Sequence, residues 1–143
     1  MRTNRHQAGV MLIEALIGIL IFSIGILALL GMQGSAIRNT TDARYRSEAA
    51  YLASQIVGQM WVDIKKLPNY DTANPIVYPA RDAWVNRVAT MLPGVTAGGA
   101  LSPTIQVGPT PGEVRVQVQW QQPGEPQTRQ FVILNRIHEG DGV

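Results

Sequence analysis

From Val10 to Met32 the chain reads VMLIEALIGILIFSIGILALLGM, 23 residues in which Glu14 is the only charge and Ser23 the only other polar side chain. As an α-helix this stretch is roughly 34 Å long, enough to cross a hydrocarbon core of about 30 Å. A cleaved secretory signal has an apolar region of about 7–15 residues, whereas the uninterrupted run from Ala15 to Met32 alone has 18. The stretch therefore reads as a spanning helix. Arg2 and Arg5 precede it without an accompanying acid, and the positive-inside rule then predicts a cytoplasmic N-terminus and an exported C-terminal part.

A plain anchor does not account for Glu14. A carboxylate in a spanning helix costs on the order of 2.5–3.5 kcal/mol even on a lenient insertion scale, so such a residue calls for a partner. Gly9 lies just before the apolar run, and cutting after it removes both arginines and leaves an α-amine on Val10. That amine stands one helical turn from Glu14, on the same helix face. The new cation can neutralise the acid in its own chain or in a neighbour displaced along the helix axis.

The periodicity of the apolar residues continues past the greasy stretch. Ile37, Thr41, Tyr45, Ala49, Leu52, Ile56, Met60, Ile64 and Leu67 recur at steps of three or four, one face of an amphipathic helix. All nine prolines lie at or after Pro68, and Pro68 is expected to stop this helix. Gly25, Gly31, Gly34 and Ser35 thin it, which allows close helix packing or local unwinding. Beyond Pro68 the composition up to Pro75 is that of a loop, and Ile76-Val77-Tyr78 reads as a short edge strand. Residues 80–92 read as a short helix, with Trp84, Val88 and Met91 or Leu92 on one face and Pro93-Gly94 as its end. Strand patterns follow near 103–108, 113–121 and 128–136. Val114, Val116, Val118 and Trp120 alternate with polar residues as in a half-buried strand, while Phe131-Val132-Ile133-Leu134, apolar on both faces, looks central.

The expected fold is thus α+β. A long N-terminal helix, with a membrane half over 10–33 and an amphipathic half over 34–67, packs against an antiparallel sheet of three or four strands within a globular part, residues 68–143. Trp61, Trp84 and Trp120 all fall at apolar face positions and are expected in the core.

Other chemistry finds little support. With no cysteine, disulfides, thiolate metal sites and cysteine nucleophiles are excluded. Twelve Lys or Arg against ten Asp or Glu is too weak and dispersed an excess for a nucleic-acid surface, so no nucleic-acid partner is expected. Without residues 1–9 the side-chain charges balance, so the excess belongs to the leader. His138, beside Glu139 and Asp141, is a poor basis for a metal site. Asp63, Asp71, Asp82, Glu113 and Glu125 fall in separate elements and are expected to be solvated. The glycines follow no phosphate-loop spacing. No catalytic set, metal or cofactor is predicted, and the chain is not expected to be an enzyme.

Gly9-Val10-Met11-Leu12-Ile13-Glu14, with its short basic leader and its uninterrupted apolar helix, resembles the prepilin signal of the type IV pilins. The tryptophan-bearing helix ending Leu92-Pro93-Gly94 and the valine-rich strand ending in Trp120 are similar to those of the type IV pilus modification proteins, the PilV minor pilins. Val10 stands where that family more often has Phe or Met, and Met11 where it has Thr or Ser. The resemblance implies cleavage of Gly9–Val10 by a prepilin peptidase, N-methylation of Val10, and Glu14 as the residue guiding subunit assembly. It implies as partners other minor and major pilins, the inner-membrane assembly platform and membrane lipid. The implied location is a single pass in the inner membrane with a periplasmic domain, and then the pilus. Pseudopilins of type II secretion systems share this N-terminal machinery. An adhesive tip module acting through the loops at 68–79 and 95–112 is a further alternative.

Overall fold

In a computed structural model, residues 5–138 of the 143 are described. The elements run α1 (Arg5–Val62), a 3₁₀ helix (Ile64–Tyr70), α2 (Pro79–Met91), β1 (Thr104–Val107), β2 (Glu113–Gln121) and β3 (Thr128–Arg136). The fold is α+β, as the periodicities predict. The chain divides into two compact units at Asp42–Ala43.

The first unit is helical throughout its described residues, so Gly25, Gly31 and Gly34 do not unwind it. α1 is the one helix among the described residues long and apolar enough to cross a membrane, and none of its apolar stretch is buried. Ser23 donates its hydroxyl to Ile19 O at 2.7 Å, so its polar group is satisfied inside the helix and needs no water. Thr40 and Thr41 make the same bond to Ala36 O and Ile37 O, each at 2.9 Å.

The second unit is built around the remainder of α1, from Ala43 to Val62. Ala49, Leu52, Ala53, Ile56, Val57 and Met60 form a buried stripe at helical spacing. It packs against the inward row Val114, Val116, Val118 and Trp120 of β2, Ile105 of β1, and Trp84, Val88 and Leu92 of α2 and its end. Burying each such aliphatic side chain contributes about 1.5–3 kcal/mol. The indole N–H of Trp84 donates to Leu52 O at 2.8 Å and so pins α2 to α1 without leaving a buried donor unpaired.

The sheet has the order β1-β2-β3 and is antiparallel throughout. β2 is central because tight turns connect it to both neighbours. Gly112 adopts φ 79° in the first of these and accepts from Ile137 N at 2.7 Å, where any Cβ would collide with Ile137 O. The strands are three among the described residues, at the positions the alternation predicts.

Several expectations need correction. The α-helix ends at Val62, five residues before Leu67, and the chain tightens into a 3₁₀ helix that contains Pro68. Proline at 68 disfavours α geometry at Leu67, and three residues per turn set Ile64, Leu67 and Tyr70 in one inward column, of which Leu67 and Tyr70 are buried. Residues 76–78 form no strand. Pro75 and Pro79 bracket them, and two side chains of α2 engage their backbone, Arg81 donating to Ile76 O and Asp82 accepting from Tyr78 N, while Ile76 and Val77 stay exposed. β3 is an edge strand instead of the centre: its apolar run faces the core through half-buried Phe131 and Ile133, while Leu134, 67% exposed, lies on the outer face. Trp61 is 43% exposed with its ring 6.1 Å from that of His138, and is no core residue.

Candidate functional site

The residues singled out in the sequence lie in the first turns of the apolar helix. The bond between Gly9 and Val10 and the carboxylate of Glu14 all belong to α1. Val10 is 67% exposed and Glu14 is exposed as well, four residues and one turn further on. A Cβ built on Gly9 meets no atom within 4 Å, so the fold itself places no steric demand for glycine there. Arg2, with the rest of residues 1–4, lies outside the described residues, as do Glu139 and Asp141. Around Val10 and Glu14 the helix is apolar on every side: Leu12, Ile13, Leu16 and Ile17 are all more than half exposed. The structure thus shows one acid among apolar neighbours, one helical turn beyond Val10. Cleavage of the Gly9–Val10 bond would create an amine on the face that carries the acid.

A second constellation, in the C-terminal unit, gave no signal in the sequence. Arg81, in the first turn of α2, is buried, with only 8% of its surface exposed. Its Nη1 donates to Asp71 O at 2.8 Å, Asn74 O at 3.0 Å and Asn69 O at 3.4 Å, and its Nη2 to Ile76 O at 2.7 Å. Its Nε donates to Asp82 Oδ1 at 2.9 Å, while Asp82 Oδ2 accepts from Tyr78 N at the start of the helix. The planar guanidinium thus satisfies four carbonyls of a loop that has no ladder of its own.

Four of the five soluble carboxylates hold structure together, contrary to the expectation of simple solvation. Asp63 accepts from Tyr78 Oη at 2.6 Å and from Tyr70 Oη at 3.3 Å, beneath two rings packed edge to face at 4.9 Å. Asp71 Oδ2 accepts from Val107 N at 3.0 Å, Asp82 joins Arg81, and Glu125 Oε2 pairs with Arg129 Nη2 at 3.0 Å. The Tyr78 hydroxyl holds the Asp63 carboxyl below its ordinary range, helped by Tyr70 and Lys66 against the opposing effect of burial. Burial pushes the Tyr70 phenol up, and donation to Asp63 does the same to Tyr78. These groups are acceptors and donors already engaged with each other. Among the described residues no three His, Cys, Asp or Glu converge as a metal cluster.

Arg81→Ala should destabilise the C-terminal unit by on the order of 3 kcal/mol, because several buried carbonyls lose a charged donor. The check is the urea midpoint followed by circular dichroism, with Arg81→Lys restoring only part of the loss because a point charge cannot span the fork. For Asp63, a carboxyl lowered in the folded state favours the ionised form. Its contribution is present above about pH 4 and is lost as pH falls through the folded value. Asp63→Asn should flatten the acid limb of a plot of Tm against pH, and an unchanged limb would show that the carboxylate contributes nothing. Comparison of the chain with known proteins gives no match to a family model, to a curated protein or to a solved structure.

Proposed function

We propose that the chain is a minor type IV pilin: a prepilin cut after Gly9 by a prepilin peptidase, N-methylated at Val10, and carried from the inner membrane into a pilus by its N-terminal helix. The observation that carries this reading is the position of Glu14. It is an acid in an otherwise apolar helix, one turn beyond a glycine whose peptide bond, once cut, supplies the missing cation. In lipid the acid is costly. Against the Val10 amine of a neighbouring subunit it is neutralised, so the assembled state gains relative to the inserted monomer.

Two features of the described structure support the reading. The helix face from Val10 to Met32 is unburied on every side, which suits first lipid and then the helices of neighbouring subunits. The C-terminal unit is a small closed core of helix and sheet, with its polar loop groups satisfied internally. In this reading the basic leader orients insertion with the N-terminus in the cytoplasm and is then discarded.

Because nothing crowds Gly9, replacing it leaves the fold intact and isolates the peptidase. Gly9→Val should accumulate a precursor nine residues heavier, seen by intact mass spectrometry of the membrane fraction, and normal processing would remove the peptidase from the proposal. Glu14→Ala should insert into membranes as before, yet co-purify with other pilins at least ~10-fold less, corresponding to about 1.4 kcal/mol. Undiminished association would reduce Glu14 to an interfacial residue.

A further inference from the structure

Within the C-terminal unit, α1 and α2 leave a hollow of about 350 Å³ between them. Its walls are Gln55 and Gln59 on α1 and Ala80, Ala83, Trp84 and Arg87 on α2. The four residues of α2 stand at i, i+3, i+4 and i+7 on one face of that helix, and the two alanines are too short to fill the gap to α1. The helices run in opposite directions here. Tyr78, at the start of α2, bonds Asp63 just beyond the end of α1, while Trp84, further along, reaches back to Leu52. Gln59 therefore stands towards Ala80, and Gln55 towards Arg87.

The fold leaves the polar groups of this hollow unanswered. Gln55 Oε1 is shut off from solvent and accepts no hydrogen bond, although a buried acceptor without a donor is costly. The side chains of Gln59 and Arg87 also bond nothing among the described residues, and no acid lines the hollow to balance the guanidinium. Trp84 differs, because its N–H is spent on Leu52 O and it presents only carbon to the hollow. One wall is thus apolar, one end is cationic, and the other wall carries two carboxamides that each donate and accept.

We propose that this hollow binds a sugar acid, a compact ring with one carboxylate and several hydroxyls. The carboxylate fits the Arg87 fork, which takes a planar anion through a pair of N–H groups. Hydroxyls donate and accept as carboxamides do, so they match Gln55 and Gln59 whichever way those amides are turned. The terminal torsion of a glutamine is soft, and a turn about it brings Gln55 Oε1 into the hollow, where a ligand hydroxyl donates to it. The C–H face of the ring lies on the alanines and the indole carbons. The volume is at the lower end of small-ligand sites, room for one such ring. A peptide fits less well, because the interior of a helix has no free backbone groups to pair with its main chain. A neutral sugar leaves Arg87 unpaired, and a bare carboxylate leaves the carboxamides so.

The test is a titration of the full chain in micelles with sodium D-glucuronate, followed through the indole N–H resonance of Trp84. Glucuronate should shift it saturably with a Kd on the order of 1 mM, while D-glucose and acetate should each bind at least ~10-fold more weakly. Arg87→Gln and Gln55→Leu should each weaken glucuronate at least ~10-fold. Arg87 is exposed, so its variant should keep the fold, checked by unmoved indole resonances of Trp61 and Trp120. If Gln55→Leu moves those resonances, Gln59→Leu, at an exposed position, replaces it with the same expectation. No saturable shift, or variants that bind as the parent does, would overturn the proposal. So would an equal response to acetate, which would reduce the hollow to a simple anion site, or to glucose, which would leave Arg87 without a role. None of these outcomes depends on processing at Gly9 or on association through Glu14, so the two proposals fail separately.

Discussion

Arg81 donates five hydrogen bonds from a site that is nine-tenths buried, and the shape of the C-terminal unit follows from it. The segment from Asn69 to Tyr78 has no ladder of its own and leaves Ile76 and Val77 exposed, so little local packing holds it still. One guanidinium collects its carbonyls and fixes it against the start of α2. Once fixed, the segment turns Asp71 and Thr72 onto β1 and closes that side of the sheet. Asp63, Tyr70 and Tyr78 fasten its two ends, joining the 3₁₀ helix to the residue that precedes α2. The buried cation is tolerable because all of its donor groups are engaged. Remove it, and both the loop and the closed edge lose their reason to exist.

The N-terminal unit obeys the same accounting of polar groups. Ser23 returns its hydroxyl to the helix backbone, and the backbone satisfies itself, so the apolar stretch is long and apolar enough to cross a membrane without an unpaired hydroxyl. Glu14 is the exception. Among the described side chains none answers it; in the proposed reading, cutting after Gly9 would supply the answer at a chain terminus.

What the sequence made legible was whatever depends on period. The buried stripe of α1, the short helix and all three strands stand within a residue or two of where spacing puts them, because a repeat of 3.6 or 2 is written directly in the order of residues. Features that depend on meetings across the chain were not legible. No pattern announces that Arg81 meets carbonyls five to twelve residues back, that Asp63 lies under two tyrosines, or that Trp61 stands outside while Trp84 and Trp120 stand inside. Ile64, Leu67 and Tyr70 could have betrayed the 3₁₀ turn by their strict threes, but the nearby fours of the α-helix overlay them. The proposal for Gly9, Val10 and Glu14 rests on local spacing alone, and the structure adds only that a Cβ at Gly9 would meet no atom within 4 Å.

The misreading of β3 carries the most information. A strand apolar on both faces is expected in the middle of a sheet because burial on both sides is what such a sequence stabilises. Here hairpin connectivity leaves it at the edge, with Leu134 in the open. The two facts concern different directions: apolar residues at successive positions report on the faces of a strand, whereas hairpin order decides which of its edges are paired. β2 shows the distinction, because it is paired on both edges and still alternates strictly, with one face on the core and the other outside. Periodicity therefore identifies the buried face of each strand, and the order of the strands in the sheet has to come from the connections.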